Sequence, residues 1–269
     1  MSNYEERFNI AKQLHLSGRI EESQKIYLDL VKVYKNNYTL FYLIGTTFLQ
    51  LKKFDDAIDN FHTSININSN FPEVYNNLGI ALAEKEKYSE ALVNYNKAIK
   101  LKNDYIDAHI NRGVSLNNLK RFQDAISDLN FVIKTQPLNP LAHNNLGNIF
   151  KELKNYDEAI NLYDKAININ QNYLEAINNK ALILNFQKKY ESSLKELNKI
   201  YNKNPEFHNL LQNIISNKMS IFDWENFDDL TKLIKKKILD NKAYINPLFI
   251  YYLFDNPELQ KNNSSNFIN

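Results

Sequence analysis

Small and large side chains alternate along this chain with a period of 34 residues. Four of its five glycines lie at that interval. When glycine is taken as position 8 of a unit, position 20 is Ala or Ser in six successive units, and positions 11, 17 and 24 are always large and apolar or aromatic. This pattern predicts two amphipathic helices per unit, A and B. The four glycines are Gly45, Gly79, Gly113 and Gly147.

Six units of this kind account for residues 4–207. Glycine inside a helix costs about 0.5–1 kcal/mol relative to alanine, so its recurrence predicts a close approach of helix A to helix B at positions 20 and 27. Pro72 and Pro140 each open a unit, in the first helical turn where proline is tolerated. We therefore predict an all-α, right-handed α-solenoid of six stacked helix pairs. Its units are 4–37, 38–71, 72–105, 106–139, 140–173 and 174–207.

These recurring positions resemble the tetratricopeptide repeat (TPR) family over residues 4–207. The resemblance implies a curved array whose concave surface is lined by the A helices. It also implies that the chain binds extended or disordered protein segments there. The first and last units depart from the pattern, since Ala11 and Ala181 occupy the glycine position and Lys180 stands where other units have leucine.

Asparagine recurs on helix A of four successive units. Its recurrence at position 6 is not explained by helix propensity, because asparagine is a mediocre helix former. Leu43 interrupts the series in the second unit. Position 5 carries asparagine in three units as well. We name these seven residues the asparagine ladder: Asn77, Asn111, Asn145 and Asn179 at position 6, and Asn76, Asn144 and Asn178 at position 5.

A side-chain amide offers both a donor and an acceptor, so it is able to pair with a peptide N–H and C=O together. Neighbouring A helices are expected about 10 Å apart, and an extended peptide advances about 3.3 Å per residue. One ladder position would therefore meet roughly every third residue of a bound peptide. A comparable ladder holds substrate peptides in O-linked N-acetylglucosamine (O-GlcNAc) transferases, and that resemblance implies the same role for position 6 here. A tolerated polar surface is the alternative explanation.

The segment after residue 207 predicts a small helical cap or connector at 208–260, followed by a disordered tail at 261–269. A helix is expected to begin near Asp223, with an apolar stripe of Leu230, Leu233, Ile234 and Ile238. Several residues of this segment resemble the connector of bacterial O-GlcNAc transferase and SPINDLY-like proteins. The catalytic domain that this family implies would need several hundred further residues. The matching residues are Asp223, Trp224, Pro247, Phe249, Asp255, Pro257 and Gln260.

Composition removes several classes of function. The net charge of +2 gives no electrostatic basis for binding nucleic acid, and the lack of cysteine excludes disulfides and thiolate metal sites. The chain has no apolar run of the length that spans a membrane, so we expect no membrane partner and a cytoplasmic setting. No phosphate-binding or catalytic motif is present. We predict no catalytic residues, no cofactor, no metal and no small-molecule substrate. His109 and His143 share position 4, where packing explains them better than metal binding.

Three functions remain. The first is a non-catalytic protein–protein interaction module that binds extended segments through the asparagine ladder. The second is the substrate-recognition half of an O-GlcNAc-transferase-like glycosyltransferase. The third is a scaffold that associates with further copies of itself.

Overall fold

A computed structural model of the chain describes residues 3–205 and 210–240, and all regular structure in these ranges is helical. This confirms the predicted all-α fold. The helices are α1 Asn3–Leu16, α2 Ile20–Val33, α3 Tyr38–Gln50, α4 Phe54–Ile67, α5 Pro72–Glu84, α6 Tyr88–Leu101, α7 Ile106–Asn118, α8 Phe122–Thr135, α9 Pro140–Glu152, α10 Tyr156–Ile169, α11 Leu174–Phe186, α12 Tyr190–Lys203, α13 Leu210–Ser220 and α14 Phe227–Leu239.

The helices follow the 34-residue register. From the second unit onward, each A helix begins at the first residue of the unit, and every B helix begins at position 17. Pro72 occupies the first turn of α5, where its missing N–H costs no intrahelical bond. Acidic residues stand in the first turn of each B helix, where the helix dipole favours negative charge.

The turn between helices A and B is the same in every unit. Position 15 has a positive φ in all six units, and the N–H of position 16 donates to the carbonyl of position 11. This is the Schellman arrangement that ends many helices, and it favours glycine at the left-handed residue. Only the first unit has glycine there. The six left-handed residues are Gly18, Lys52, Glu86, Lys120, Lys154 and Lys188.

The position-8 glycines allow helix A to approach helix B closely, as predicted. A Cβ placed on Gly79 would lie 2.5 Å from Cε1 of Tyr95, and one on Gly45 would lie 2.6 Å from Cε1 of Phe61. Both rings are fully enclosed, so neither has room to move aside. In these two units the aromatic ring at position 24 thus occupies the space that a Cβ at position 8 would need.

The sequence predicted that these glycines approach positions 20 and 27, but the nearest side chain is that of position 24. At Gly113, position 24 is Leu129, and a Cβ would lie 3.2 Å from its Cγ. Position 20 contributes a backbone carbonyl, such as that of Ala57 beside Gly45. Position 27 supplies none of the three nearest atoms at these glycines, because the side chain at position 24 lies closer. Gly147 is buried in α9.

The chain packs into two compact units, Met1–Ile149 and Phe150–Asn269. In the first, apolar side chains of successive helices form the core, with Leu40 and Ile44 of α3 packed among those of α1 and α2. In the second, one cluster combines α11 and α12 with α13 and α14. Each helix pair thus buries its apolar face against the next pair within its unit.

The predicted pair of C-terminal helices is present as α13 and α14. Leu230, Ile234 and Ile238 of α14 are buried as expected, and they pack with α13 against the α11–α12 pair. The predicted start of the second helix near Asp223 is wrong, because α14 begins at Phe227. Asp223 instead accepts a hydrogen bond from the N–H of Glu225 in the preceding turn.

The remaining predictions for the C-terminus lie outside the described residues. They concern the end of the cap up to residue 260, the disordered tail at 261–269, and the second part of the connector resemblance. The residues involved are Pro247, Phe249, Asp255, Pro257 and Gln260.

Candidate functional site

The ladder asparagines lie on the A helices at two depths. Asn77, Asn111 and Asn145 at position 6 are half-buried, whereas Asn76 and Asn144 at position 5 are 4% and 5% exposed. Positions 5 and 6 are adjacent, so the two columns point in different directions around the helix. Position 6 is accordingly the more exposed of the two columns in the third to fifth units.

A chain of amide hydrogen bonds links three consecutive units. The Nδ2 of Asn111 donates to Oδ1 of Asn76 over 3.0 Å, and Nδ2 of Asn76 donates to Oδ1 of Asn77 over 3.2 Å. Asn77 in turn donates to the hydroxyls of Tyr42 and Thr46, both over 3.3 Å. Both ends of the buried Asn76 amide are therefore hydrogen-bonded, the oxygen to Asn111 of the next unit and the N–H to Asn77 of its own, so Asn76 positions the two position-6 asparagines.

One geometric rule explains these bonds. The position-6 amide donates to position 5 of the preceding unit, 35 residues earlier, in both Asn111–Asn76 and Asn77–Tyr42. Part of the asparagine recurrence therefore reflects contacts between repeats. For Asn145 the same offset leads to Ile110, which has no polar side-chain atom. Asn145 makes no hydrogen bond within the described ranges, and both ends of its half-buried amide remain available.

The remaining ladder residues, Asn178 and Asn179, lie on α11 in the second compact unit. Both are half-buried. The Oδ1 atom of Asn178 is enclosed and has no hydrogen-bond partner among the described residues, whereas Asn179 already interacts with another residue. Asn144, on α9 near the end of the first compact unit (Met1–Ile149), also interacts with another residue.

The two histidines at position 4 hold the junctions between repeats. Nε2 of His109 donates to the carbonyl of Asn103 over 3.1 Å, and Nε2 of His143 donates to that of Pro137 over 3.0 Å. A carbonyl only accepts, so Nε2 carries the hydrogen in both rings. Both side chains are buried, as the packing interpretation predicts. Within residues 3–205 and 210–240, no group of three or more His, Cys, Asp or Glu is placed to hold a metal ion.

Basic residues at position 7, Arg112 and Lys180, form partly buried ion pairs in two repeats. Arg112 holds Asp128 with two guanidinium hydrogen bonds, and His109 contacts the same carboxylate at 3.0 Å. Burial alone would raise the pKa of Asp128, but the bonds from Arg112 and His109 outweigh it and hold that pKa below its usual value. Lys180, which replaces the leucine of the third and fifth units at position 7, forms ion pairs with Asp164 and Glu196.

Sequence reasoning missed four residues beside the ladder. Tyr42 stands at position 5, in the same column as Asn76, and its hydroxyl accepts from Asn77. Tyr105, Glu73 and Asp107 lie at or near the beginnings of the A helices. Burial raises the pKa of Tyr105, and the nearby Tyr42, Glu73 and Asp107 raise it further. The sequence signal that could have identified Tyr42 is its place at position 5, in the same column as Asn76 and Asn144.

Comparison with protein families agrees with this register. A model described as "TPR repeat" matches residues 45–86 and 81–119, and one described as "Tetratricopeptide repeat" matches 140–173. The range 140–173 coincides with the fifth unit. Residues 45–119 and 140–173 match tetratricopeptide repeats. Arrays of these repeats mediate protein–protein interactions and typically act as non-catalytic modules.

Several solved structures share this fold. A TPR protein from Parabacteroides merdae is 16% identical with a TM-score of 0.72, over 98% of this chain and 100% of its own. PilW, a type IV pilus biogenesis factor, is 16% identical with a TM-score of 0.71, over 80% and 99%. YrrB, a TPR protein with an unusual peptide-binding site, is 22% identical with a TM-score of 0.53, over 64% and 88%. At these identities the likeness establishes the fold alone.

No curated protein matches the TPR chain. In the part of the chain that the structure describes, no helix has the length and apolar character required to cross a membrane.

Proposed function

We propose that this TPR protein is an interaction module that binds extended or disordered protein segments along the face of its A helices. The asparagine ladder contacts the backbone of the bound segment, and the module itself performs no catalysis. The observation that carries the proposal is the half-buried amide of Asn145, which lies in the ladder column without a partner among the described residues.

The hydrogen-bonding capacity along the column supports this assignment. Asn145 offers two N–H donors and a carbonyl acceptor, and Asn111 has used only one N–H. Asn77 has committed both N–H groups, so its remaining capacity is on Oδ1. We therefore assign the strongest peptide contacts to Asn145 and Asn111, and weaker ones to Asn77 and Asn179.

Recognition through amides favours the peptide backbone, which every sequence shares. Such binding has a broad sequence preference and suits segments that are extended before they bind. The YrrB structure, with its peptide-binding site, is consistent with this use of the fold. The lack of cysteine suits a cytoplasmic setting.

The test measures peptide binding by fluorescence anisotropy. The probe is a pool of labelled peptides of about nine residues, enough to span about three ladder positions. Its positions are drawn from Ala, Ser, Thr and Asn, so that it is uncharged. We expect the native chain to bind the pool and Asn145→Ala to bind it about threefold to tenfold more weakly, as the loss of one or two hydrogen bonds implies.

The matched control is Asn130→Ala, which removes an exposed asparagine from α8. It should bind the pool as the native chain does. Circular dichroism and thermal melts should show both variants folded with native stability, since neither side chain bonds to the described protein. Equal binding by Asn145→Ala and Asn130→Ala would refute the ladder assignment, and no binding by the native chain would refute peptide binding itself.

The glycosyltransferase alternative rests on the connector resemblance. Within the described residues only Asp223 and Trp224 belong to it, and Trp224 is 57% exposed in the turn before α14, where it contacts Phe227 edge to face. A large exposed aromatic side chain at this turn is compatible with a following domain. Sequencing the coding DNA beyond the codon for Asn269 tests this alternative. A glycosyltransferase reading frame supports it, and unrelated sequence removes it.

Self-association is the third possibility. The first helix has exposed apolar side chains, including Ile10 at 48% and Leu16 at 73%, and terminal repeats need a polar outer face to stay monomeric. Sedimentation of the native chain and of an Ile10→Glu variant distinguishes the cases. A native dimer that the variant abolishes supports a scaffold, whereas a native monomer excludes it under those conditions.

A further inference from the structure

Aromatic and acidic side chains alternate at the beginnings of two consecutive A helices. Phe71 precedes α5 and Tyr105 precedes α7, and each is followed two residues later by a carboxylate, Glu73 or Asp107. Position 2 lies on the same helix face as positions 6 and 9. The two carboxylates therefore share the face that carries the asparagine ladder.

The rings form one partly exposed surface beside the ladder. The ring centroids of Tyr42 and Phe71 are 4.9 Å apart in an edge arrangement, and Phe71 also contacts Tyr38 at 5.3 Å. The hydroxyl of Tyr42 accepts from Asn77, which fixes this surface to the ladder. All three rings, and that of Tyr105, are half-buried, so they present ring area to a ligand while staying packed.

The carboxylates near these rings have no counter-ion. Neither Glu73 nor Asp107 forms an ion pair within the described ranges. Both nevertheless act on the hydroxyl of Tyr105 and raise its pKa after the larger effects of burial and of Tyr42. Lys102 lies over the ring of Tyr105, 5.3 Å from its centroid, which shows that this ring already accepts a cation on one side.

We propose that the surface formed by Tyr42, Phe71, Glu73, Tyr105 and Asp107 seats an arginine or lysine side chain of the bound segment. This inference rests on the proposed peptide binding and adds a preference to it. The negative carboxylates and the negative faces of the rings both attract a cation. Because arginine stacks on rings and pairs with carboxylates through a planar guanidinium, we expect arginine to bind better than lysine.

The test compares arginine with citrulline, which has the same shape but no charge. Two labelled peptide pools are used, identical to the uncharged pool above except for arginine or citrulline at the centre. We expect the native chain to bind the arginine pool about fivefold to tenfold more tightly, as a partly desolvated cation–π contact with a nearby carboxylate implies. Raising the salt concentration should reduce this ratio, since the surface is open to water.

The double variant Glu73→Gln and Asp107→Asn should lose most of the preference while binding the citrulline pool as before. The control Asp59→Asn, on the exposed face of α4, should keep the native preference. A ratio near one for the native chain, or a ratio that survives in the double variant, would overturn the inference.

The two proposals fail in different ways. Peptide binding is read from the citrulline pool and its sensitivity to Asn145→Ala, whereas the cation preference is read from the ratio of the two pools. Binding of both pools with equal affinity would leave the ladder in place and remove the cation site. Binding of neither pool would overturn both.

Discussion

At the scale of single residues, each column of the repeat has one physical task. Position 8 is glycine because a ring or a leucine at position 24 fills the space of its Cβ. Position 4 donates to the carbonyl of position 32 in the preceding unit, through Tyr75 to Ser69 as well as through the two histidines. Position 6 donates to position 5 of the preceding unit in the pairs Asn77–Tyr42 and Asn111–Asn76.

The glycines should differ in how well they tolerate alanine. At Gly79 a Cβ would meet the enclosed ring of Tyr95 at 2.5 Å, whereas at Gly113 the nearest atom of Leu129 is 3.2 Å away. We expect Gly79→Ala to lower the free energy of unfolding by about 1–3 kcal/mol through overpacking. For Gly113→Ala the gain in helix propensity, up to about 1 kcal/mol, should offset a smaller strain. Urea denaturation of both variants measures the difference, and equal effects would contradict the packing described.

Asp128 should make the protein sensitive to acid. Its pKa is depressed in the folded state, so its contribution to stability is present above its unfolded pKa of about 3.9 and is lost as pH falls through the folded value. We expect Asp128→Asn to cost about 2 kcal/mol near neutral pH, because Arg112 and His109 lose their charged partner. The difference between the two proteins should shrink towards pH 2. Urea denaturation across this pH range tests it, and a constant difference would contradict the linkage.

The sequence predicted the columns better than their partners. Glycine at position 8 and large residues at position 24 were recognised separately, but their mutual contact depends on the rotamer of one ring in three dimensions. The ladder asparagines were recognised as a set. Their division into bonded Asn77 and unbonded Asn145 depends on whether Tyr42 or Ile110 stands 35 residues earlier, and an offset of 35 within a period of 34 emerges only from the packed helices.

At the scale of elements, the helices follow from the sequence almost completely. Apolar periodicity, acidic first turns and Pro72 set the helix starts, and the observed bounds agree with the 34-residue register. The error at α14 has a local cause. Asp223 caps a turn through the N–H of Glu225, and Asn226 adopts a left-handed conformation before the helix begins. Aspartate and asparagine favour such turns as readily as helix starts.

The turn between helices A and B offers a stabilising substitution. Lys52 has a φ of 57°, a conformation that costs a residue with a Cβ about 1 kcal/mol and glycine almost nothing. We expect Lys52→Gly to raise the free energy of unfolding by up to about 1 kcal/mol. Lys53→Gly is the control, because Lys53 has a φ of −92° and gains only chain flexibility from glycine. A loss of stability in Lys52→Gly equal to that of Lys53→Gly would contradict this account of the turn.

At the scale of the whole molecule, stacked repeats place similar side chains at regular intervals, and our proposal assigns function to the positions where the regularity is broken. Ile110 breaks the chain of amide bonds and leaves Asn145 available. Glu73 and Asp107 place a negative charge at position 2 of the third and fourth units, where the second unit has the uncharged Thr39. A cation preference would therefore follow the aromatic and acidic pairs Phe71–Glu73 and Tyr105–Asp107, and Tyr173 with Glu175 repeats that pair at α11.

The central claim is that the asparagine ladder recognises peptide backbone. The most direct measurement takes one uncharged peptide that binds the native chain and replaces its amides, one at a time, by esters, which removes a single N–H without changing any side chain. We predict that esters weaken binding about threefold to tenfold at positions spaced roughly three residues apart, and that alanine substitutions in the same peptide have little effect. Ester replacements that leave the affinity unchanged at every position, with one side-chain substitution abolishing binding, would contradict the account.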